Sequence, residues 1–335
     1  MGSSKVVVAG AGSIGCFVGG HLAAAGRDVA FLARPRLVDE LQRHGLTLTD
    51  RNGGRVTVAG EALRIGTDPA LLASADIVLV TVKSGATREM ADTIRAHAPA
   101  HAVVVSLQNG IDNAAILQRA LPDMQVVAGM VPFNVVALGD GRFHRGTDGD
   151  IVIDAKAAAI AGMLTTPHLR IATHADMVSI AWGKLLLNLN NALDALAGVP
   201  LRDELADRGW RKVLAACIDE ALAALTAAGI RPAKVGALPP SLLSTVLRLP
   251  DALFRIVAAS QLKIDPHARS SMADDLALCR TTEIDQLQGA VVALAQERGV
   301  DAPVNRAVLG LVKQAEAQGA GSPHLRPADL GLPLP

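Results

Sequence analysis

Hydrophobic residues follow two patterns along the chain, and the change between them falls near residue 175. Before it, short Val-rich runs alternate with helical patterns; the runs are KVVVAG from Lys5, DVAFLA from Asp28, ADIVLVTVK from Ala75, HAVVVSL from His101 and MQVVAGMV from Met124. Such runs are typical of strands buried on both faces, and their alternation with helices predicts an α/β fold with a parallel, doubly wound sheet. Within this half, LTLTDRNGGRVTVAG predicts a hairpin that turns at residues 52–54.

Beyond residue 175 the strand pattern stops and Ala/Leu-rich helical patterns take over. We predict helices over residues 176–196, 203–228, 241–261, 268–279, 283–298 and 304–318. The domain organisation expected is an α/β domain over residues 1–173, a mostly helical domain over 174–322 and a Pro-rich tail over 323–335.

Charge and cysteine content exclude several classes of protein. Lys plus Arg and Asp plus Glu number 32 each, so net charge favours neither nucleic acid nor an anionic membrane as a partner. The three cysteines lie far apart, which gives neither a disulfide framework nor metal-ligand spacing and fits a reducing cytoplasm. The stretch after Lys5 resembles a signal peptide, but a strand, a glycine turn and a buried helix explain its glycines better. We therefore expect a cytoplasmic protein without transmembrane helices.

A glycine-rich turn follows the first predicted strand and opens the first predicted helix. Its candidate cofactor-binding residues are Gly10, Ala11, Gly12, Ser13, Ile14 and Gly15. In this Gly-x-Gly-x-x-Gly pattern the first glycine permits the tight turn, the second lets the backbone approach a pyrophosphate, and the third lets helix and strand pack closely. The anion then lies at the helix N-terminus, which predicts a Rossmann-type dinucleotide-binding domain.

The ends of the next strands bear on the choice of cofactor. The second strand ends in Arg34 rather than in the acidic residue that an NAD site uses for the ribose 2′-hydroxyl. Because a guanidinium pairs with a 2′-phosphate, NADPH is favoured, whereas Arg36 is better explained as a solvated loop charge. Lys83, Gln108 and Asn109 follow later strands and are further cofactor candidates, although an Asn before glycine is equally typical of a turn.

Two pairs of polar residues in the helical half are candidate catalytic or substrate-binding residues. Lys184 and Asn188 are four residues apart and share one helix face, where a desolvated lysine could donate a proton; a lysine that snorkels to solvent is the alternative. Ser271 and Glu283 would lie about 18 Å apart on one unbroken helix. Thr282 to Asp285 resembles a capping box, so we expect a break that starts a new helix at Thr282. A solvated glutamate in a first turn is the alternative for Glu283.

The chain resembles the ketopantoate reductase (2-dehydropantoate 2-reductase) family almost end to end. The resemblance lies in GAGSIG, the Arg34 strand end, TVKS, LQNGIDN, WGKLLLN and SSMADDLALCRTTEIDQLQG. It implies an oxidoreductase of pantothenate biosynthesis that binds NADPH between a Rossmann domain and a helical domain and reduces a 2-oxo acid.

The resemblance also implies a role for each matching residue. Lys184 would be the general acid at the keto oxygen, and Asn109 and Asn188 would position cofactor and substrate. Ser271 would hold the substrate carboxylate, and Glu283 would accept a hydrogen bond from the substrate hydroxyl. The oligomeric state is left open, with a homodimer as one expectation.

Three departures from the family pattern bear on which oxo acid fits. Asn191 is a doubtful equivalent of the family's further helix asparagine, Gln288 stands where Asn is frequent, and residues 239–265 form a longer segment. The alternatives are a sibling reductase for another 2-oxo acid, a 3-hydroxy acid dehydrogenase, or a non-catalytic NADPH sensor. Ile180 stands where the 3-hydroxy acid dehydrogenases have glycine, and a sensor would need only the first domain.

Overall fold

The chain forms two compact units, one ending at Met177 and the other beginning at Val178. A computed structural model describes residues 4–258 and 269–331. Within those ranges, no helix combines the length and apolar character needed to cross a bilayer.

The first unit alternates strands with helices, as the Val-rich runs predict. Its strands are β1 (Val6–Ala9), β2 (Val29–Leu32), β3 (Leu46–Asp50), β4 (Arg55–Val58), β5 (Arg64–Gly66), β6 (Ile77–Val80), β7 (Val103–Ser106), β8 (Val126–Met130), β9 (Val135–Gly139), β10 (Arg142–Arg145), β11 (Ile151–Asp154) and β12 (Ile171–His174). Its helices are α1 (Ser13–Ala24), α2 (Pro35–His44), α3 (Thr87–His97), α4 (Asn113–Ala120) and α5 (Ala158–Leu164).

The main sheet has eight strands in the order β12-β11-β8-β7-β6-β1-β2-β5. The strands β5, β2, β1, β6, β7 and β8 are parallel, which confirms the predicted α/β fold. Only the pair β11–β8 is antiparallel among the described strands of this sheet, and the sequence pattern missed β11 and β12. The chain leaves β1 for β2 on one side and returns to β6 on the other. This reversal of direction creates a crevice at the carboxyl ends of β1 and β6.

Alternate residues of each strand feed two separate hydrophobic cores. Val6 and Val8 of β1 pack with Phe17 of α1 on one face of the sheet. Val7 and Ala9 belong to the core on the other face, which includes Ile94 of α3. Because both faces are covered, the strand sequences are continuously apolar rather than alternating.

A second, four-stranded sheet has the order β4-β3-β10-β9. The predicted hairpin is present as the antiparallel pair β3–β4. Its turn is closed by the Asp50 carboxylate, whose Oδ1 accepts from the backbone N–H of Asn52 at 2.8 Å and of Gly54 at 2.9 Å. The sequence pattern missed β9 and β10, which turn through Gly139–Asp140–Gly141, all three with positive φ.

The second unit is helical in its described part. Its helices are α6 (Met177–Asn188), α7 (Asn190–Ala197), α8 (Leu201–Ala206), α9 (Arg208–Ala227), α10 (Pro240–Leu247), α11 (Asp251–Val257), α12 (Ser271–Ala277), α13 (Gln288–Glu297) and α14 (Pro303–Gln318).

Several helices are shorter than their hydrophobic patterns predict. The helix predicted over 176–196 is interrupted at Leu189, whose carbonyl accepts from Gln288 Nε2 at 2.8 Å. The helix predicted over 203–228 is interrupted at Asp207, whose carboxylate caps α9 by accepting from the Gly209 N–H at 2.6 Å. The apolar periodicity continues through both interruptions, so it could not reveal them. The predicted helices over 241–261 and 268–279 and the segment 239–265 lie partly outside the described residues.

Candidate active site

The glycine turn after β1 lies at the crevice where the sheet reverses direction. Gly10 has φ +87°, and a Cβ there would lie 2.1 Å from Val82 Cγ1, so only glycine fits. The Gly10 carbonyl accepts from Thr81 Oγ1 at 2.9 Å, which ties the turn to the end of β6. A Cβ at Gly15 would lie 2.5 Å from Thr81 Oγ1, so α1 packs closely on the strands, as the motif requires.

The N-terminus of α1 has the features that a pyrophosphate needs. Gly12 is the N-cap residue, and no described side chain caps the helix. A Cβ at Gly12 would meet no described atom within 4 Å, so the space beside the first turn is open. The N–H groups of a first turn attract anions when no side chain satisfies them. The loop therefore fits a dinucleotide phosphate, with Ala11, Ser13 and Ile14 supplying backbone beside it.

The end of β2 carries a basic side chain, Arg34, and no acidic side chain. Arg34 is exposed at the N-cap of α2, and among the described residues no carboxylate pairs with it. The one acid of this stretch, Asp28, lies at the other end of β2 and is 3.9 Å from Arg64. Arg36, one turn into α2, is also exposed.

A buried polar network connects the ends of β6 and β7. Gln108 Nε2 donates to the Val82 carbonyl at 3.1 Å and to Thr87 Oγ1 at 2.8 Å. Thr87 in turn donates to Asn113 Oδ1 at 2.8 Å. The amide of Asn113 donates to the Asn109 carbonyl, which fixes the backbone of Asn109. Gln108 stays a predicted cofactor residue, but its hydrogen bonds to Val82 and Thr87 are those of a side chain that positions the loop.

Sequence reasoning missed three members of this network, namely Thr87, Asn113 and Ser84. Ser84 Oγ donates to the Asn109 carbonyl at 3.0 Å and accepts from Asn113 Nδ2 at 3.0 Å. Ser84 and Asn113 stand inside TVKS and LQNGIDN, so the motifs contained the signal. Lys83, exposed directly before Ser84, lies at the same edge of the sheet.

Lys184 and Asn188 lie on one face of α6, and both are partly exposed. Desolvation lowers the pKa of Lys184 from 10.5 to about 8. A lysine with such a pKa exchanges a proton near neutral pH, which makes it a candidate general acid.

The neighbouring face of α6 is covered by the segment that follows α9. The Ala233 N–H donates to the Ser179 carbonyl at 2.9 Å. A Cβ at Gly183 would lie 2.2 Å from the Ala233 carbonyl oxygen, so the glycine directly before Lys184 lets this segment approach the helix.

Ser271 and Glu283 are separated by the predicted interruption, although its form differs from the prediction. Ser271 is the exposed first residue of α12, and α12 ends at Ala277. The Thr282 hydroxyl accepts from the Ile284 N–H at 3.2 Å, but Thr282 is not the N-cap residue that the sequence predicted. The element that follows is a single 3₁₀ turn, and α13 begins only at Gln288. Glu283, partly exposed, is the N-cap residue of that turn.

The asparagines after Asn188 serve the structure in different ways. Asn190 is buried, and its Nδ2 donates to Glu204 Oε2 at 3.0 Å. Burial raises the pKa of Glu204 to about 8. Asn191 is partly exposed, and its backbone carbonyl accepts from Ser270 Oγ at 3.0 Å. Gln288, the other departure from the family pattern, is fully buried and holds the Leu189 carbonyl.

These features define a class of protein. A doubly wound sheet with a glycine turn at its switch point is a dinucleotide-binding domain. The lysine of lowered pKa on the helical unit is a candidate general acid, as an enzyme that protonates a reduced oxygen requires.

Comparisons with known proteins identify the family within that class. The model of the family described as "Ketopantoate reductase PanE/ApbA" matches residues 6–157, and the model of its C-terminal region matches residues 176–316. The chain is 30% identical over 328 residues to the 2-dehydropantoate 2-reductase of Halobacterium salinarum, covering 94% of this chain and 100% of that protein. The chain therefore belongs to the ketopantoate reductase family, and it is an oxidoreductase.

Solved structures share the fold over nearly the whole chain. A PanE/ApbA family ketopantoate reductase from Ralstonia eutropha JMP134 is 31% identical, with a TM-score of 0.79 over 94% of this chain and 99% of that chain. A ternary structure of D-mandelate dehydrogenase with NADH and anilino(oxo)acetate is 20% identical, with a TM-score of 0.78 over 94% of this chain and 99% of that chain. The second likeness is one of fold, which does not determine the acid that is reduced.

Proposed function

We propose that the chain catalyses the NADPH-dependent reduction of a 2-oxo acid to a 2-hydroxy acid, with 2-dehydropantoate as substrate and pantoate as product. Family membership supports the reaction class, and the relatives named 2-dehydropantoate 2-reductase support the substrate. The reaction would belong to pantothenate biosynthesis, and the free thiols of Cys16, Cys217 and Cys279 are consistent with a reducing cytoplasm.

The first unit would bind the cofactor through backbone and guanidinium groups. The first-turn N–H groups of α1 would hold the pyrophosphate beside Gly12, and Arg34 would pair with the 2′-phosphate, where an acid would repel it. Lys83 and the loop at Asn109 are the further cofactor candidates. When bound, the nicotinamide would supply the hydride.

The observation that carries the proposal is the match to both family models, together with the shared face of Lys184 and Asn188 on α6, where desolvation lowers the pKa of Lys184. Reduction of a ketone develops negative charge on its oxygen, and an ammonium aimed at that oxygen would neutralise the charge and deliver the proton. Because desolvation makes the Lys184 ammonium a stronger acid than a solvated lysine, the proton transfer is more favourable at neutral pH.

The remaining side chains would recognise the two ends of the substrate. Asn188, one turn after Lys184, would orient the keto group, and Ser271 would donate to the substrate carboxylate. Asn109 stays a predicted cofactor and substrate residue. Glu283 would accept from the hydroxyl at the far end of the substrate. Asn191 remains a predicted substrate residue.

A sibling reductase for another 2-oxo acid is the second candidate, because D-mandelate dehydrogenase shares the fold at a similar TM-score. Initial rates of NADPH and NADH oxidation against 2-dehydropantoate, phenylglyoxylate and 2-oxoisovalerate distinguish the candidates. We expect the highest kcat/KM with 2-dehydropantoate and NADPH. A higher kcat/KM with an acid that lacks the terminal hydroxyl would reject both the substrate and the role of Glu283. A homodimer stays a prediction, which sedimentation velocity checks.

A further inference from the structure

Asp194 on α7 is a fully buried carboxylate that the proposed reaction does not use. Its side chain is 0% exposed, and its Oδ2 accepts from the backbone N–H of Ser270 at 2.7 Å. Burial raises the pKa of Asp194, while the hydrogen bonds from Ser270 lower it. A buried carboxylate is costly unless it makes a specific interaction, so the contact with Ser270 requires an explanation.

Ser270 is the N-cap residue of α12 and is held from three directions. Its Oγ accepts from the Ala273 N–H at 3.1 Å, which caps the helix. The same hydroxyl donates to the Asn191 carbonyl at 3.0 Å. The third contact does not involve the hydroxyl: the backbone N–H of Ser270 donates to the Asp194 carboxylate.

The three hydrogen bonds of Ser270 hold the backbone directly before Ser271. Ser270 is only 7% exposed, whereas Ser271 is exposed and begins α12. Removal of the Asp194 carboxylate would leave the Ser270 N–H buried without an acceptor, and the backbone at Ser270 would shift to recover one. Such a shift moves Ser271 directly, because only one peptide bond separates the two residues.

We propose that Asp194 is a positioning residue that fixes Ser271 for the substrate carboxylate by clamping Ser270 against α7. The inference rests on the proposed function, in which Ser271 binds that carboxylate. It assigns no contact between Asp194 and the substrate.

A double-mutant cycle on the full-length enzyme tests the proposal. Asp194→Ala should raise KM for the 2-oxo acid about tenfold, the effect of one well-placed hydrogen bond, while kcat changes less and the Kd of NADPH is unchanged. Asp194→Asn keeps an oxygen for the Ser270 N–H and should restore KM. Asp203→Asn, on the exposed face of α8, is the control for loss of a nearby carboxylate.

The decisive comparison uses Ser271→Ala. If Asp194 acts through Ser271, the double variant should have the KM of Ser271→Ala alone, because the positioned group is already gone. Two results would overturn the inference and leave the proposed function intact. In one, the KM increase of the double variant is the product of the increases of the two single variants. In the other, Ser271→Ala raises KM and Asp194→Ala does not. An unchanged KM in Ser271→Ala would instead reject the role of Ser271 in the proposed function, and the inference with it.

Should Asp194→Ala fail to fold, Ser270→Ala tests the second half of the proposal, that a held Ser270 fixes Ser271, since it removes both contacts of the hydroxyl and keeps the N–H that Asp194 binds. Ser270→Thr keeps the hydroxyl and is expected to restore KM. The inference would be overturned if Ser270→Ala raises KM and Ser270→Thr does not restore it. It would also be overturned if the KM increases of Ser270→Ala and Ser271→Ala multiply in the double variant.

Discussion

Replacing Lys184 with methionine should stabilise the protein while it abolishes activity. In the folded chain the pKa of Lys184 is lowered from 10.5 to about 8 by desolvation. Each tenfold change in an acid dissociation constant corresponds to about 1.4 kcal/mol, so keeping the ammonium charged at pH 7 costs roughly 3 kcal/mol of folding free energy. Methionine is close in length, has no charge and does not incur that cost.

The pH dependence of the free energy of unfolding distinguishes the effect of removing the Lys184 charge from the effect of packing a methionine in its place. Because the folded-state pKa lies below the unfolded-state value, the cost is present in full below about pH 8 and decreases as pH rises toward 10.5. We expect Lys184→Met to exceed the wild type in free energy of unfolding by roughly 3 kcal/mol at pH 7 and by less than about 1 kcal/mol at pH 10.

Urea denaturation of both proteins at pH 7 and pH 10 measures this difference. Lys212→Met is the control: Lys212 on α9 is also partly exposed, so this variant shows how a lysine-to-methionine replacement alone changes the free energy of unfolding. The reasoning is refuted if Lys184→Met is no more stable than the wild type at pH 7, or if its advantage is the same at both pH values.

Three further predictions concern activity and packing. The kcat/KM for oxo-acid reduction should decline above about pH 8, because Lys184 loses the proton it donates; a profile that is flat to pH 10 would contradict this. Arg34→Ala should raise KM for NADPH about 10- to 100-fold and leave KM for NADH nearly unchanged, the size expected for charge-assisted hydrogen bonds to a phosphate, whereas Arg36→Ala should alter neither. Gly183→Ala should lower the free energy of unfolding in urea by about 1–3 kcal/mol, because the new Cβ would overlap the Ala233 carbonyl.

A glycine elsewhere in the second unit provides the control for the last prediction. Gly310 lies within α14, and a Cβ there would meet no described atom within 4 Å. Gly310→Ala should therefore stabilise the protein by up to about 1 kcal/mol, the helix propensity gain of alanine. Equal effects at Gly183 and Gly310 would mean that the segment carrying Ala233 does not pack on α6 as described.

The parts of the fold that sequence could predict are those fixed by neighbouring residues. Gly10 and Gly15 were recognised from the spacing of one strand–turn–helix motif, although the atoms that exclude a Cβ there belong to Val82 and Thr81. The hairpin at residues 52–54 follows from its own turn residues. The strands β9 and β10 pair with each other, but they join the sheet only through the pairing of β10 with β3, which is distant in sequence and which no local pattern shows.

The candidate site divides in the same way. The four-residue spacing of Lys184 and Asn188 shows their common face without a structure. The clamp of Asp194 on Ser270 joins residues 76 positions apart, and the contact of Gln288 with Leu189 joins residues 99 apart. No local sequence pattern encodes such pairs. The interruption between α6 and α7 and the contacts that place Ser271 could therefore not be predicted from the sequence.

We propose that Lys184 delivers the proton in the reduction of a 2-oxo acid with NADPH. Steady-state turnover of Lys184→Ala, measured beside its NADPH affinity by fluorescence titration, is the test of this role. We expect kcat to fall by about a hundredfold or more, as for loss of a general acid, while the Kd of NADPH stays within about twofold of the wild type. Turnover equal to that of the wild type would contradict it.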